Sequence, residues 1–557
     1  MQKPIAAVCL TICLLPLKSA SGQDRPSIQL DDISRNLDFV HTDGHYGQFF
    51  LIESMSAGLA MLDYDGDGDL DVFLLNGARI EIPGASSSEE GRQKPKSNRL
   101  FRNDGDFHFT DVTEQSGVSD SNMSLGVAVA DYDNDGCPDI YVSNYGVNSL
   151  LHNNGDGTFS ETINLASAGR GSRVGGGVSF FDKDSDGDLD LYIGNYIQFD
   201  ASKHKIHFHK GLPAYPSPMS FQPEKDHLLE NNGDGTFQDV TDASGINKVA
   251  GRSMGLVSFD YDQDGDIDVF VANDTQANFL FENDGNGVFE EVGLFAGVAF
   301  DFSGKPQASM GVELCDVDRD GLLDLFVTSF SEEFTTLYRN EDGFFSDSTL
   351  QMGASAATFP HVTWGIIGED FDNDGKPEFL VGTGDLDEDK QARGGAAKTT
   401  GFDVKNVVLS QANGQLKDLK GTWGTAAKVK RSTRGLLGGD LNQDGRIDAI
   451  ALNARNSATL MQNSTTTPVD SHISVQLVGT ESNRDALGAM ILVNQNGRRT
   501  QVEQVRSGHS YQSDRRSATH FGVSPQEVVK VTVAWPSGKR QHVDCKAGQQ
   551  ITLVEAK

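Results

Sequence analysis

The chain has 557 residues, with 80 acidic against 46 basic side chains and a net charge of −34. A charge of that sign and size excludes a nucleic-acid-binding surface as the basis of the fold, and it would push a compact chain apart unless cations neutralise part of it. The 37% of hydrophobic residues, set in short regular runs, exclude a disordered acidic polymer.

The N-terminus reads as an export signal. Lys3 precedes a mostly apolar stretch from Pro4 to Leu17, followed by small and polar residues from Lys18 to Gly22. This is too short to span a bilayer and suits a signal peptide over residues 1–22, cleaved after Ala20 or Gly22. The mature chain is expected to be secreted, periplasmic or at the cell surface, and no later segment is apolar enough to cross a membrane. Three cysteines remain, Cys137, Cys315 and Cys545, so at most one disulfide can form and something else must hold the chain together.

After a lone strand-like segment, Ile28-Gln-Leu-Asp-Asp-Ile33, a nine-residue pattern dominates the chain: D-x-D/N-x-D-G-x-x-D/E. It recurs seven times, beginning at Asp63, Asp131, Asp182, Asp260, Asp316, Asp370 and Asp440. Strand-like runs flank each copy, such as Gly58-Leu-Ala-Met-Leu62 before the first and Val72-Phe-Leu-Leu75 after it. A second hairpin follows, turning on Asn-Asn-Gly-Asp-Gly or Asn-Asp-Gly, as at Leu151 to Phe159 and Leu229 to Thr241. Two hairpins per repeat make four antiparallel strands, the size of a propeller blade. The fold class is therefore all-β: a seven-bladed β-propeller with calcium-binding blade loops, followed by a small all-β C-terminal domain.

The loops carry the chemistry. Position 1 is Asp63, Asp131, Asp182, Asp260, Asp316, Asp370 or Asp440, and position 3 is Asp65, Asp133, Asp184, Asp262, Asp318, Asp372 or Asn442. Position 5 is Asp67, Asp135, Asp186, Asp264, Asp320, Asp374 or Asp444. A glycine follows, so the chain can turn sharply around one ion. Position 7 lends only its carbonyl and varies freely: Asp69, Cys137, Asp188, Asp266, Leu322, Lys376 or Arg446. Position 9 closes the shell with Asp71, Asp139, Asp190, Asp268, Asp324, Glu378 or Asp448. Oxygen-only ligands on a flexible loop select Ca²⁺ over Mg²⁺, with up to seven ions. An EF-hand would need Glu at position 12, which here is Leu74, Val142, Ile193, Val271, Val327, Val381 or Ala451, each inside the next strand. Metal-free acidic turns are the alternative, and they are more plausible for the sixth and seventh loops than for the others.

The seventh repeat lacks its fourth strand, because the chain passes instead into the C-terminal module. The segment near residues 28–32 is expected to supply it by pairing beside residues 458–462, sealing two sheet edges. Two insertions interrupt the regular spacing. One is Pro/Ser-rich with Arg92, Lys94 and Lys96; the other, in the third repeat, carries His204, His207 and His209. The histidines are either a solvated loop or a ligand or second-metal site at the channel. Gly251-Arg-Ser-Met-Gly255 matches a nucleophile-elbow pattern, but a strand follows it where that motif needs a helix.

The loops and Asn-Asp-Gly-x-Phe hairpins resemble FG-GAP/VCBS repeats, the blades of integrin-α-like propellers. Asn483-Arg-Asp-Ala-Leu-Gly-Ala489, Arg506-Ser-Gly508, His520-Phe-Gly522 and Val533-Ala-Trp-Pro-Ser-Gly538 resemble an ASPIC/UnbV domain. Together they resemble the cartilage-acidic-protein-like family. The resemblance implies export, a propeller and a calcium requirement, but no reaction. Domains are expected at 23–468 for the propeller and 469–557 for the module. From Asp470 onward 11 basic residues stand against 8 acidic ones, a charge asymmetry that could dock the module on the acidic propeller or give it an anionic partner.

The function expected is binding, adhesion or scaffolding of an extracellular protein or glycan through the propeller loops. The alternative is a propeller enzyme on carbohydrate, of lyase or dehydratase type, using the third-repeat histidines and acidic residues. A catalytic pocket would bring those histidines together with a carboxylate of shifted pKa.

Overall fold

The computed structural model describes residues 28–56, 58–82, 97–162, 173–386, 401–468 and 471–557. The expected signal peptide, residues 1–22, and Arg92, Lys94 and Lys96 lie outside the described residues.

Each acidic loop joins the first two strands of a four-stranded antiparallel sheet. The first sheet runs Leu59–Leu62, Asp71–Leu74, Arg99–Asn103 and Phe109–Asp111. Blades two to six repeat this order. Their innermost strands are Met123–Ala130, Gly175–Phe181, Ser253–Phe259, Val312–Cys315 and Thr363–Glu369, and the seventh blade begins with Thr433–Gly439. Each innermost strand packs against the next, and the seventh against the first, so the ring closes. Seven apolar clusters fill the gaps between neighbouring blades. Strands buried on both faces explain why the first-strand runs, such as Gly126-Val-Ala-Val-Ala130, are apolar throughout rather than alternating.

The seventh blade takes its outer strand from the N-terminus. Leu30–Asp32 lies antiparallel to Thr459–Asn463, with Leu30 opposite Asn463, Asp31 opposite Gln462 and Asp32 opposite Met461. Ile28 and Leu30 are buried with Trp423, Leu436 and Met461.

The C-terminal domain packs a three-stranded sheet against a four-stranded one around a core that includes Ile473, Val531, Phe521 and Trp535. Along Val528–Ala534 buried and outward residues alternate, the period-two pattern of a sheet with one wet face. From this domain the segment Arg506–Arg516 enters the propeller channel and touches all seven innermost strands. Asp514–Arg515 pairs in parallel with Ala60 and Met61 of blade one. Val127 of blade two donates to the Gln512 carbonyl (3.2 Å), and Phe180 of blade three to Ser507 Oγ (3.2 Å). Val312 of blade five and Ile366 of blade six donate to Ser510 O and Oγ at 2.9 and 3.0 Å. Arg515 donates to the Gly438 carbonyl of blade seven (2.8 Å). Gly508 takes φ = +84° beside blade four, where a Cβ would lie 2.6 Å from the Leu256 carbonyl oxygen. Tyr511 is the tip: fully buried, edge-on to Trp364 at 5.1 Å, and donating to the Met55 carbonyl at 3.1 Å. The charge asymmetry of the module says nothing of such a plug, which sits inside the channel.

Candidate functional site

The seven loops share one geometry. In each, the position-6 glycine has φ between +79° and +102°, and its amide donates to the position-1 carboxylate at 2.7–3.1 Å. A Cβ at that φ is strained, which accounts for glycine there. The position-9 carboxylate opens the second strand and accepts two amides. Asp71 takes Tyr64 N–H (3.0 Å) and Asn103 N–H (2.8 Å), and the same pair of bonds recurs at Asp139, Asp190, Asp268, Asp324 and Asp448. Position 9 therefore fixes the hairpin as well as facing the loop.

Positions 1, 3 and 9 turn toward one another. The trios Asp63–Asp65–Asp71, Asp182–Asp184–Asp190 and Asp260–Asp262–Asp268 each bring three carboxylate oxygens within 4.8 Å, as does Asp131–Asp133–Asp135. Burial, reinforced by the neighbouring carboxylates, pushes Asp71 and Asp324 up to about 8 and Asp139 to about 9. Asp131 and Asp316 rise to about 7 for the same leading reason. Several buried oxygens have no hydrogen-bond partner: Asp184 Oδ1, Asp260 Oδ1, Asp318 Oδ1, Glu378 Oε2 and Asn442 Oδ1. Such oxygens are costly unless a cation meets them, so the donor set fits a hard divalent ion.

The loops are not equivalent. In the sixth and seventh, Lys376 Nζ lies 3.2 Å from Asp374 and Arg446 pairs with Asp444, so protein cations partly offset the charge. Lys183 does the same in the third, bonding Asp184 at 2.5 Å. In the second, His152 Nδ1 lies 3.3 Å from both Asp133 and Asp139. Cys137 and Leu322 stand at position 7 without closing a carboxylate shell, and Cys137, Cys315 and Cys545 are free thiols.

A ring of side-chain amides, five of them from the Asn-Gly hairpins, ties the loops to each other. Asn153, Asn231, Asn283 and Asn340 each donate from Nδ2, at 2.8 Å, to the position-2 carbonyl of the preceding loop. Asn103 reaches Leu441, Asn463 reaches Phe371, and in blade six Gln411 reaches Val317. The C-terminal domain covers the same face. Asp485 accepts Asp131 N–H (2.8 Å), Gln504 accepts Asp260 N–H (3.2 Å), and Arg499 donates to the Asp318 carbonyl (2.7 Å).

At the other end of the strands the channel opens into a cavity of about 540 Å³. Here the three candidate histidines part. His204 serves the fold: its ring sits 4.4 Å from the Phe50 ring, and Nε2 bonds the Gln48 carbonyl (2.8 Å). His207 and His209 line the cavity from an exposed hairpin, His207–His209 with Leu212–Ala214, alongside the buried Asp274. The Gly251–Gly255 motif is structural: Ser253 starts an innermost strand and donates to Asp226 at 2.8 Å.

Among the described residues no helix is long and apolar enough to cross a membrane. The FG-GAP-like repeat family matches residues 63–142, 131–193, 219–271, 260–327 and 316–381, and the ASPIC and UnbV family matches 479–557. Cartilage acidic protein 1 of Mus musculus is 22% identical over 501 residues, 87% of this chain and 71% of that protein. The Homo sapiens protein is 21% identical over 519 residues, 90% of this chain and 72% of that protein. Among solved structures, Saccharomyces cerevisiae Sqt1 aligns at 10% identity and a TM-score of 0.37, over 94% of this chain and 100% of that one. An Agrocybe aegerita lectin that recognises non-reducing terminal N-acetylglucosamine aligns at 17% identity and a TM-score of 0.36, over 66% of this chain and 84% of that one. Repeats, closing strand and C-terminal module agree: the chain belongs to the FG-GAP-like repeat family, carries a C-terminal ASPIC and UnbV domain, and is homologous to cartilage acidic protein 1.

Proposed function

We propose that this chain is an exported propeller, loaded with up to seven Ca²⁺, that acts as a binding, adhesion or scaffold protein for an extracellular protein or glycan. The observation that carries the calcium reading is the convergence of three carboxylates within a loop, with a buried oxygen in each of loops three to seven that no donor meets. When bound, the ion supplies positive charge; positions 1, 3, 5 and 9 would hold it by carboxylate and position 7 by its carbonyl. A rigid, ion-braced ring then leaves the connections at its other end free to vary and to bind. Calorimetric titration of Ca²⁺ into EDTA-stripped protein, followed by a glycan array with and without Ca²⁺, tests the reading. Saturable binding of several ions is expected, with any array signal lost in EDTA; no binding heat in the mature chain overturns it.

A second reading, a propeller enzyme on carbohydrate, has one observation in its favour: His207 and His209 line the same cavity as Asp274. It expects depletion of an oligosaccharide by the parent chain and none by His207→Ala.

A further inference from the structure

The cavity has walls of one character and a head of another. Met55, Met254, Met310, Leu51, Trp364 and Phe330 give it a sulfur-rich, aromatic and aliphatic lining. At one end, Asp274 of blade four and Glu333 of blade five enter that lining. Asp274 is buried and accepts the Tyr196 hydroxyl at 2.5 Å; Glu333 accepts the Ala308 amide at 2.8 Å. Neither forms an ion pair among the described residues. The nearest guanidinium acting on Asp274, that of Arg252, donates to the Phe221 carbonyl and Gln276 Oε1 instead. Beside them Thr275 Oγ1 is buried with no hydrogen-bond partner. Burial raises the Asp274 carboxyl to about 6, and the Tyr196 hydroxyl bond opposes that rise.

The opposite end differs. There Arg434 lies 3.9 Å from the Trp364 ring centroid, behind the cavity wall, and donates to the Ser54 carbonyl. Asp385 also lines the cavity there, beside Arg434, which donates to its carbonyl, and Lys210 lines it from the hairpin; Asp274 and Glu333 are the lining acids in no ion pair among the described residues. Polar side chains such as Tyr196, Tyr215 and Ser217 line the cavity too, but the methionine, leucine and aromatic lining beside an acidic head matches an apolar body with one positive head.

We infer that the cavity binds a small amphiphilic amine, its ammonium between Asp274 and Glu333 and its apolar body against Met254, Met310 and Trp364. The volume suits a ligand of roughly ten to twenty heavy atoms. His207, His209 and Ala214 of the hairpin line the cavity, and the same hairpin exposes Phe208 at 59% of its surface. No loop carboxylate lines the cavity, so the inference stands or falls apart from the calcium reading.

The test uses the full mature chain in millimolar Ca²⁺. Isothermal titration compares 2-phenylethylamine and hexylamine with their neutral counterparts, 2-phenylethanol and hexanol, and with phenylacetate. Each amine is expected to bind at least about tenfold more tightly than its alcohol, a modest return for one desolvated charge pair. Asp274→Asn should abolish that advantage, and Glu333→Gln should reduce it while leaving the Tyr196 contact intact. Met310→Trp, which fills the cavity without touching either acid, should weaken amine and alcohol alike. Binding by none of the probes, equal binding of amine and alcohol, preference for phenylacetate, or an amine advantage that survives both acid substitutions overturns the proposal. Should Asp274→Asn fail to fold, Glu333→Gln and Met310→Trp still decide it.

Discussion

The two ends of the seven innermost strands follow opposite rules. At the loop end all seven blades repeat a glycine at positive φ and an amide latch onto the preceding loop, and six of them, all but the sixth, add a carboxylate spanning two amides. The C-terminal domain then covers it. At the other end the connections share no pattern, and they build the hairpin, the buried Asp274 and the cavity. Regularity serves closure, because seven equal blades need seven equal joints. The irregular end is released from that requirement, and the chemistry that could distinguish this chain from other propellers collects there.

If that division is real, stability belongs to the loop end. The largest effect should come from removing calcium. Each occupied site adds about 2.7 kcal/mol at a hundredfold excess of ion over Kd, so several sites together rival the roughly 5–15 kcal/mol of a whole domain. Melting in EDTA against millimolar Ca²⁺ should show a large upward shift in Tm with the ion, and coincident curves would break the comparison at its root. Asp65→Ala with Asp67→Ala should reduce that shift more than Asp372→Ala with Asp374→Ala, where Lys376 already offsets charge.

Next in size is the plug. Tyr511 is fully buried against Trp364 and bonded to the Met55 carbonyl. Tyr511→Ala should cost about 3–5 kcal/mol, through a cavity and an unpaired carbonyl. Denaturant unfolding would measure it. A loss below about 1 kcal/mol would mean that the ring holds itself without the C-terminal segment.

Much of the loop end was legible in the sequence because it repeats. The seven acidic loops, the hairpin turns and the N-terminal strand that seals blade seven all follow from counting strands per repeat, and Leu30–Asp32 pairs within one residue of the segment expected. The latch was not legible. Asn153 and Asn231 end strands just before Asn-Gly-Asp-Gly turns, where asparagine reads as turn chemistry, and nothing local says that their amides reach another blade. The plug also escaped, since Arg506 to Arg516 has no period-two pattern and its partners lie hundreds of residues away. The histidine cluster was legible as a cluster but not as a division of labour: His204 packs on Phe50 while His207 and His209 face the cavity, a split that depends on contacts with distant blades.

A smaller effect should separate the covering domain from the ring by pH. Glu555 is buried and accepts the amides of Thr480, Glu481 and Ser482 at 2.8–2.9 Å. Burial opposes its ionisation, but the Ser537 hydroxyl and these amides win and hold it at about 2 rather than the usual 4.5. A folded-state pKa below the unfolded one stabilises fully above about pH 4.5, and that stability disappears as the pH falls toward 2. The contribution is on the order of 2–3 kcal/mol. Glu555→Gln should cost that much at pH 7 and almost nothing near pH 2, so the two acid-unfolding curves should converge. Parallel curves would mean that the depressed carboxylate is not what holds the 480–482 turn.

The smallest effect is the sharpest test of the comparison, because it predicts a near-zero on one side of a single insertion. His207 and His209 are exposed on the hairpin strand, and no blade depends on them. His207→Ala with His209→Ala should therefore change unfolding free energy by no more than about 0.5 kcal/mol, as exposed substitutions do. His204 lies only three residues earlier, but its ring packs on Phe50 and Phe199 and its Nε2 meets the Gln48 carbonyl. His204→Ala removes that packing and leaves the carbonyl without its partner, so about 1–3 kcal/mol should be lost. Urea unfolding of the two variants beside the parent, all in Ca²⁺, gives both numbers. Equal losses would mean that the insertion is one structural unit and the cavity end is as much scaffold as the loops. A loss confined to His204→Ala would leave the hairpin free to change with its ligand while the ring stays as it is.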